Sequence, residues 1–145
     1  MISGVTAGET LHASCVALGP DRGLLVLGPS GSGKSALALR LMALGARLVA
    51  DDRTEVAQTD QGLIATCPPA IAGLIEARGV GILTAPALPR ARLVLAVDLG
   101  QTEPDRLPPF RSVTIMGTAL PLVLGSQSAH FPAALLCYLQ GGRHG

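Results

Sequence analysis

Residues 28–35, GPSGSGKS, fit the pattern G-x-x-x-x-G-K-[ST] at every fixed position. Without a Cβ at Gly28, Gly31 and Gly33, the backbone can curl so that successive amides point at one anion beside the positive end of a following helix. In such a loop Lys34 neutralises terminal phosphates as a mobile point charge, and the Ser35 hydroxyl enters the shell of a magnesium ion bridging two phosphate groups. Gly28, Pro29, Ser30, Gly31, Ser32, Gly33, Lys34 and Ser35 are therefore the candidate nucleotide-phosphate site. Further along, RLVA at 47–50 ends in Asp51 and Asp52. Carboxylates just beyond a strand that follows a phosphate loop are placed to face metal and phosphates, but on position alone a solvated turn is an equal reading. Glu76 and Arg78 read as ordinary helix-surface charges when taken alone. His12, in isolation, reads as a surface or hydrogen-bonded structural histidine.

These side chains need a scaffold. The apolar run LLVL at 24–27 predicts a strand into the glycine loop, and ALALRL at 36–41 a helix out of it, from about residue 34 to 43 with a stop at Gly45. Residues 11–18, LHASCVAL, predict one strand, turned by GPDRG into the next as a hairpin. Residues 53–57 and 63–67 predict a second hairpin at an edge. After Pro68 and Pro69, residues 70–77 predict a short helix with Ile71, Leu74 and Ile75 on one face, which delivers Glu76, Arg78 and Gly79. Residues 79–84 and 91–97 predict buried strands, the second ending at Asp98. A proline-rich loop at 100–109 carries Arg106. Beyond it come a strand at 112–116, an irregular connection at 121–127 turning at Gly125, and a helix at 129–139.

The bulk numbers bound the rest. A chain of 145 residues is one domain long, and it shows no internal repeat or dividing linker. With hydrophobic residues at 48% and aromatic ones at 2%, its core must be aliphatic. A formal net charge of +1 without a block of like charges argues against a nucleic-acid surface or an electrostatic membrane anchor. No apolar run approaches the ~18 residues of a membrane span, and the first ten residues lack the parts of a signal peptide, so a cytoplasmic protein is expected. Cys15, Cys67 and Cys137 are odd in number and far apart, which predicts reduced, mostly buried thiols.

Taken together, LHASCVAL, GLLVLGPSGSGKSALAL, GARLVADDRTEV and LIEARGVGIL resemble the catalytic domain of the bacterial HPr kinase/phosphorylase family over roughly residues 11 to 107. The Lys34-to-Asp52 spacing and the later Glu-x-Arg-Gly carry the specificity of the match. The resemblance implies ATP- and Mg2+-dependent phosphorylation of a serine on the phosphocarrier protein HPr, and the reverse phosphorolysis. It also implies an α/β phosphate-loop domain of the phosphoenolpyruvate carboxykinase-like type, with mixed sheets, a loop helix and a C-terminal helix, assembled as a hexamer. By position, Asp52 matches the residue that exchanges a proton with the target serine, and Asp51 supports it. Glu76 matches a second magnesium ligand beside Ser35, Arg78 a phosphate-binding or bracing arginine, and His12 a histidine near the base. Arg106 matches an arginine offsetting charge on the transferring phosphoryl group.

Two departures stand out. One catalytic domain over residues 1–145 is expected, without the separate N-terminal domain of many members. Where the family has a basic Pro-x-x-Pro-Gly-Arg-Asn-like loop, this chain has PLVLGSQS at 121–128, so kinase activity is expected to exceed phosphorylase activity. Two other readings stay open. One is a phosphate-loop NTPase or small-metabolite kinase using Asp98 as its metal-side carboxylate, and the other a nucleotide sensor that transfers nothing. Pyrophosphate also stays open as donor.

Overall fold

The structure, a computed structural model, describes residues 8–144. It is an α/β domain of mixed sheets with two helices. Eleven strands appear in the order β1 (Glu9–Leu11), β2 (Ser14–Ala17), β3 (Gly23–Leu27), β4 (Arg47–Ala50), β5 (Thr54–Thr59), β6 (Gly62–Thr66), β7 (Leu74–Ala77), β8 (Gly81–Thr84), β9 (Arg90–Thr102), β10 (Arg111–Ile115) and β11 (Thr118–Gly125). Helix α1 (Lys34–Ala43) follows β3, and α2 (Phe131–Gly141) closes the fold. No helix among the described residues is long and apolar enough to cross a membrane.

The main sheet runs β1-β5-β6-β9-β3-β2-β4, with β11 added to β9 and β10 to β11. Its hub is β9. Residues 93–98 of this strand pair in parallel with β3, while its other edge takes β6 antiparallel at Arg90–Arg92 and β11 in parallel from Ala96 onward. The β3 and β9 backbones approach so closely that a Cβ on Gly23 would stand 2.8 Å from the Arg92 carbonyl oxygen, so any larger residue there must push the strands apart.

Strand alternation sorts the aliphatic side chains onto two faces. Val16, Leu24, Val26, Leu48, Leu95 and Val97 face both helices, meeting Leu37, Ala38 and Leu41 of α1 and Leu135, Leu136 and Leu139 of α2. Cys15, Leu25, Val49, Leu93 and Ala96 face the other way, covered by Val56, Leu63, Ile115 and Leu120 from β5, β6, β10 and β11. The expected aliphatic core is thus present on both sides. Leu41 is wholly buried. Truncating it to alanine would cost about 2–5 kcal/mol and unseat the helix behind the glycine loop.

Six sequence expectations are corrected. The run 11–18 is two strands, because the Ala13 amide folds back onto the Leu11 carbonyl at 3.0 Å and breaks the ladder at His12. Residues 70–77 are a short 3-10 turn, Pro69–Ile71, followed by β7. Gly73 at φ 72 stops any helix, and Gly79 and Gly81, at φ 85 and 139, turn the chain into a β7–β8 hairpin. That hairpin leaves β8 exposed and not buried, with Ile82 63% accessible. Strand β9 does not end at Asp98 but continues to Thr102. Residues 121–125 lie within β11 and not in an irregular connection, Pro121 preceding the β9 pairing that starts at Leu122, where its missing N–H costs that ladder nothing. Of the three thiols, all unpaired, only Cys15 is fully buried, and Cys137 is exposed.

Candidate active site

Strand β3 ends at Leu27, and the glycine loop fills the gap before α1. Gly28, Gly31 and Gly33 all have positive φ, at 146, 82 and 100, so the loop's curl is one that side-chain-bearing residues rarely adopt. At Gly28 the requirement is also steric, since a Cβ would meet the Ser32 Oγ at 2.5 Å. Ser32 Oγ is buried and has no hydrogen-bond partner among the described residues. The ladder of α1 starts with the Leu37 amide donating to Gly33 O at 2.9 Å, so the amides of Lys34, Ser35 and Ala36 lack intrahelical acceptors. No acidic side chain sits in that first turn. Lys34 is 6% exposed, and its ammonium donates to Gly28 O at 2.8 Å and Pro29 O at 3.0 Å. An ammonium has three donors, so one remains for a ligand.

Strand β4 delivers the two aspartates to different places. Asp51, 6% exposed, turns inward. Its Oδ1 accepts hydrogen bonds from Ser35 Oγ at 2.6 Å and Ser14 Oγ at 2.8 Å, and its Oδ2 accepts one from the Glu76 amide at 3.0 Å. No Lys or Arg nitrogen among the described residues forms a salt bridge with it. Its charge is balanced by three donors. Asp52 turns outward at φ 67, and His12 Nε2 donates to its Oδ1 at 2.7 Å with both side chains at least half exposed.

Strand β7 brings the third component. Alternation buries Ile75 against α1 and turns Glu76 outward. Glu76 and Arg78 then line a pocket of about 580 Å3 shared with Ser30, Gly31, Gly33, Lys34, Ser35 and Asp52. The sequence-predicted residues Lys34, Ser35, Asp52, Glu76 and Arg78 therefore meet around one hollow. Asp51 and His12 stand behind it, bonded to Ser35 and Asp52. Arg106 does not join them and lies exposed between β9 and β10. Asp98 is level with Leu27 in the β3–β9 register, but its carboxylate accepts from Gly100 N and Gln101 Nε2 and does not border the pocket. A second concavity, of about 490 Å3, includes Arg22, Arg92 and Phe110 and holds none of these residues.

The sequence reading missed Ser14. Its signal is a polar side chain inside the otherwise apolar ASCVA, wholly buried in the structure. Near the site, burial first and then the charges of Glu55 and Asp51 push the Cys67 thiol above its ordinary range, and burial alone does the same to Cys15. Neither thiol is a ready nucleophile.

The family model for the HPr serine kinase C-terminal domain matches residues 4–95. An HPr kinase/phosphorylase of Clostridium novyi is 41% identical over 91 residues, covering 58% of this chain and 30% of that protein. HPr kinase/phosphorylase 1 of Oceanobacillus iheyensis is 52% identical over 62 residues, covering 42% of this chain and 20% of that protein. The chain thus spans about 30% or less of the length of these curated relatives. The structure of the Hpr(Ser) kinase/phosphatase from Coxiella burnetii superposes with a TM-score of 0.75 at 24% identity, covering 91% of this chain and 88% of that one, a likeness of fold.

Proposed function

The chain belongs to the HPr serine kinase C-terminal domain family, and from that premise we propose that it transfers the terminal phosphate of ATP to a serine of an HPr-like phosphocarrier protein. The observation that carries the reading is Asp52 bordering the same pocket as Lys34, Ser35 and the glycine loop.

In this reading residues 28–35 are a phosphate-binding loop whose free amides and third lysine donor hold the nucleotide tail. The incoming serine hydroxyl is a poor nucleophile at neutral pH. His12 occupies Oδ1 of Asp52, which leaves Oδ2 to orient that hydroxyl and accept its proton as the bond to phosphorus forms. Asp51 acts from behind, fixing Ser35. Arg78 binds phosphate at the rim, and Arg106 serves only if the exposed loop before β10 approaches.

Among the described residues no group of three or more His, Cys, Asp or Glu side chains is arranged to cage a metal. The Ser35 hydroxyl and the Glu76 carboxylate are nonetheless hard oxygen donors on one pocket, a set that suits Mg2+ with water and phosphate completing its shell. When bound there, the ion would neutralise charge on the phosphates. Kinase activity is proposed to exceed phosphorylase activity, because PLVLGSQS is neutral and borders no part of the pocket. A single catalytic domain, the phosphoenolpyruvate carboxykinase-like form of the fold, a cytoplasmic location and a hexameric assembly belong to the same proposal.

The test is radiolabelled ATP, Mg2+ and a panel of HPr-like proteins, followed by phosphoamino-acid analysis. Phosphoserine on one acceptor, lost in Lys34→Ala and cut to a small residual rate in Asp52→Asn, is the expected result. ATP bound with no phosphoprotein formed would overturn the reading in favour of a sensor.

A further inference from the structure

We propose that Ser14 is a positioning residue for the Asp52 carboxylate, a role that rests on the reading of Asp52 as the base. Asp52 sits at the tip of a three-residue turn closed by the Arg53 amide on the Asp51 carbonyl at 2.7 Å, with φ 67 at the tip residue. Turns of this positive-φ kind are rare and strained, and they persist only where their surroundings over-determine them. The surroundings here include one hydroxyl. Ser14 Oγ accepts a hydrogen bond from the Asp52 amide at 3.1 Å and donates to Asp51 Oδ1 at 2.8 Å. A single wholly buried side chain therefore holds the backbone of the outward aspartate and the carboxylate of the inward one.

Among the described residues that hydroxyl serves the two aspartates alone. Its flanking residues Ala13 and Cys15 are both fully buried and apolar, and its donor and one acceptor site are spent on the two aspartates. Opposite stands a matching bend at His12, whose histidine donates to Asp52 Oδ1. The base is thus pinned by its amide from Ser14 and by its carboxylate from His12. Losing the first leaves the strained tip free to relax and the carboxylate free to swing, and a displacement of about 1 Å at such a centre is enough to cost about 100-fold in rate.

The test compares Ser14→Ala in the wild-type and Asp52→Asn backgrounds. Asparagine is chosen because it is isosteric and tolerates the left-handed conformation of this position. Phosphate transfer from radiolabelled ATP to the acceptor is measured with the KM for ATP, and exchange of the Asp52 amide hydrogen is followed by NMR. The expected outcome is a kcat lower by about 10- to 100-fold with the KM for ATP unchanged within about twofold. That loss should be absent in the Asp52→Asn background, and exchange of the Asp52 amide should be faster in Ser14→Ala. Ser14→Ala turnover within about threefold of wild type, an equal loss in both backgrounds, or unchanged exchange each overturns the proposal. A wild-type chain that transfers no phosphate overturns the kinase reading and the catalytic purpose of Ser14. The exchange measurement then still decides whether Ser14 holds the turn.

Discussion

Replacing Asp51 with alanine asks whether a buried carboxylate with no salt-bridge partner among the described residues supports the fold or burdens it. The carboxylate is 6% exposed and accepts from Ser14, Ser35 and the Glu76 amide. After truncation the Ser35 hydroxyl and the Glu76 amide, which border the pocket, can take water instead, at about 0.5–1.5 kcal/mol each. Ser14 cannot, and a buried donor left unsatisfied costs about 1–3 kcal/mol. Against this stands the relief of returning no charge to a desolvated site, a term that the three donors already offset in large part. The balance is a loss of about 2–4 kcal/mol, which at this chain length lowers Tm by about 5–15 °C. Thermal unfolding followed by circular dichroism measures it. Asp51→Asn, which keeps an acceptor oxygen for the hydroxyls but can set an amide against the Glu76 N–H, should fall between. A Tm for Asp51→Ala equal to or above that of the wild type refutes the reasoning. The carboxylate would then be a net cost to the folded chain.

Four further outcomes are expected. At φ 67 a Cβ is unfavourable, so Asp52→Gly should be about 1 kcal/mol more stable than Asp52→Ala in urea melts, and equal stability would contradict the turn described for that residue. Lys34→Ala removes the charge whose ammonium bridges Gly28 O and Pro29 O, and titration calorimetry should show ATP affinity reduced by about 100-fold or more. Glu103 accepts two hydrogen bonds from Arg111, and these hold its carboxyl below the ordinary range. Its stabilising contribution is therefore full above the unfolded value of about 4.3 and fades as pH falls through the lower folded value, so the stability gap between wild type and Glu103→Gln should shrink from pH 7 toward pH 3. With a thiol reagent, the exposed Cys137 should react at once and Cys15 only on unfolding, its thiol being shielded and pushed up by burial.

How much of this could be seen in the chain itself depended on how local the cause was. The glycine loop, α1 with its stop at Gly45, and the hairpin from Ser14 to Leu27 are set by neighbouring residues, and all three were legible. The segment after Pro69 was not, because Ile71, Leu74 and Ile75 suit one helical turn as well as a strand, and the decision fell to the positive φ of Gly73, Gly79 and Gly81. The split at His12 was equally hidden, since it follows from β1 pairing with β5 while β2 pairs with β3 and β4. Within the site, the sequence set Asp51 and Asp52 at the end of the strand that follows the loop and its helix but could not say which would turn inward. That depends on Ser14 and the Glu76 amide, 37 and 25 residues away from Asp51.

Strand β9 gives the order of assembly. Residues 8–89 already contain the glycine loop and both aspartates, yet the parallel neighbour that steadies β3 is contributed only by residues 93–98. Such long-range parallel pairing forms slowly, because a long stretch of chain must be gathered before any contact rewards it. The glycine loop is therefore not a module that can fold from its own signature. A nascent chain carries every recognisable residue of the loop well before it carries the strand that makes the loop rigid.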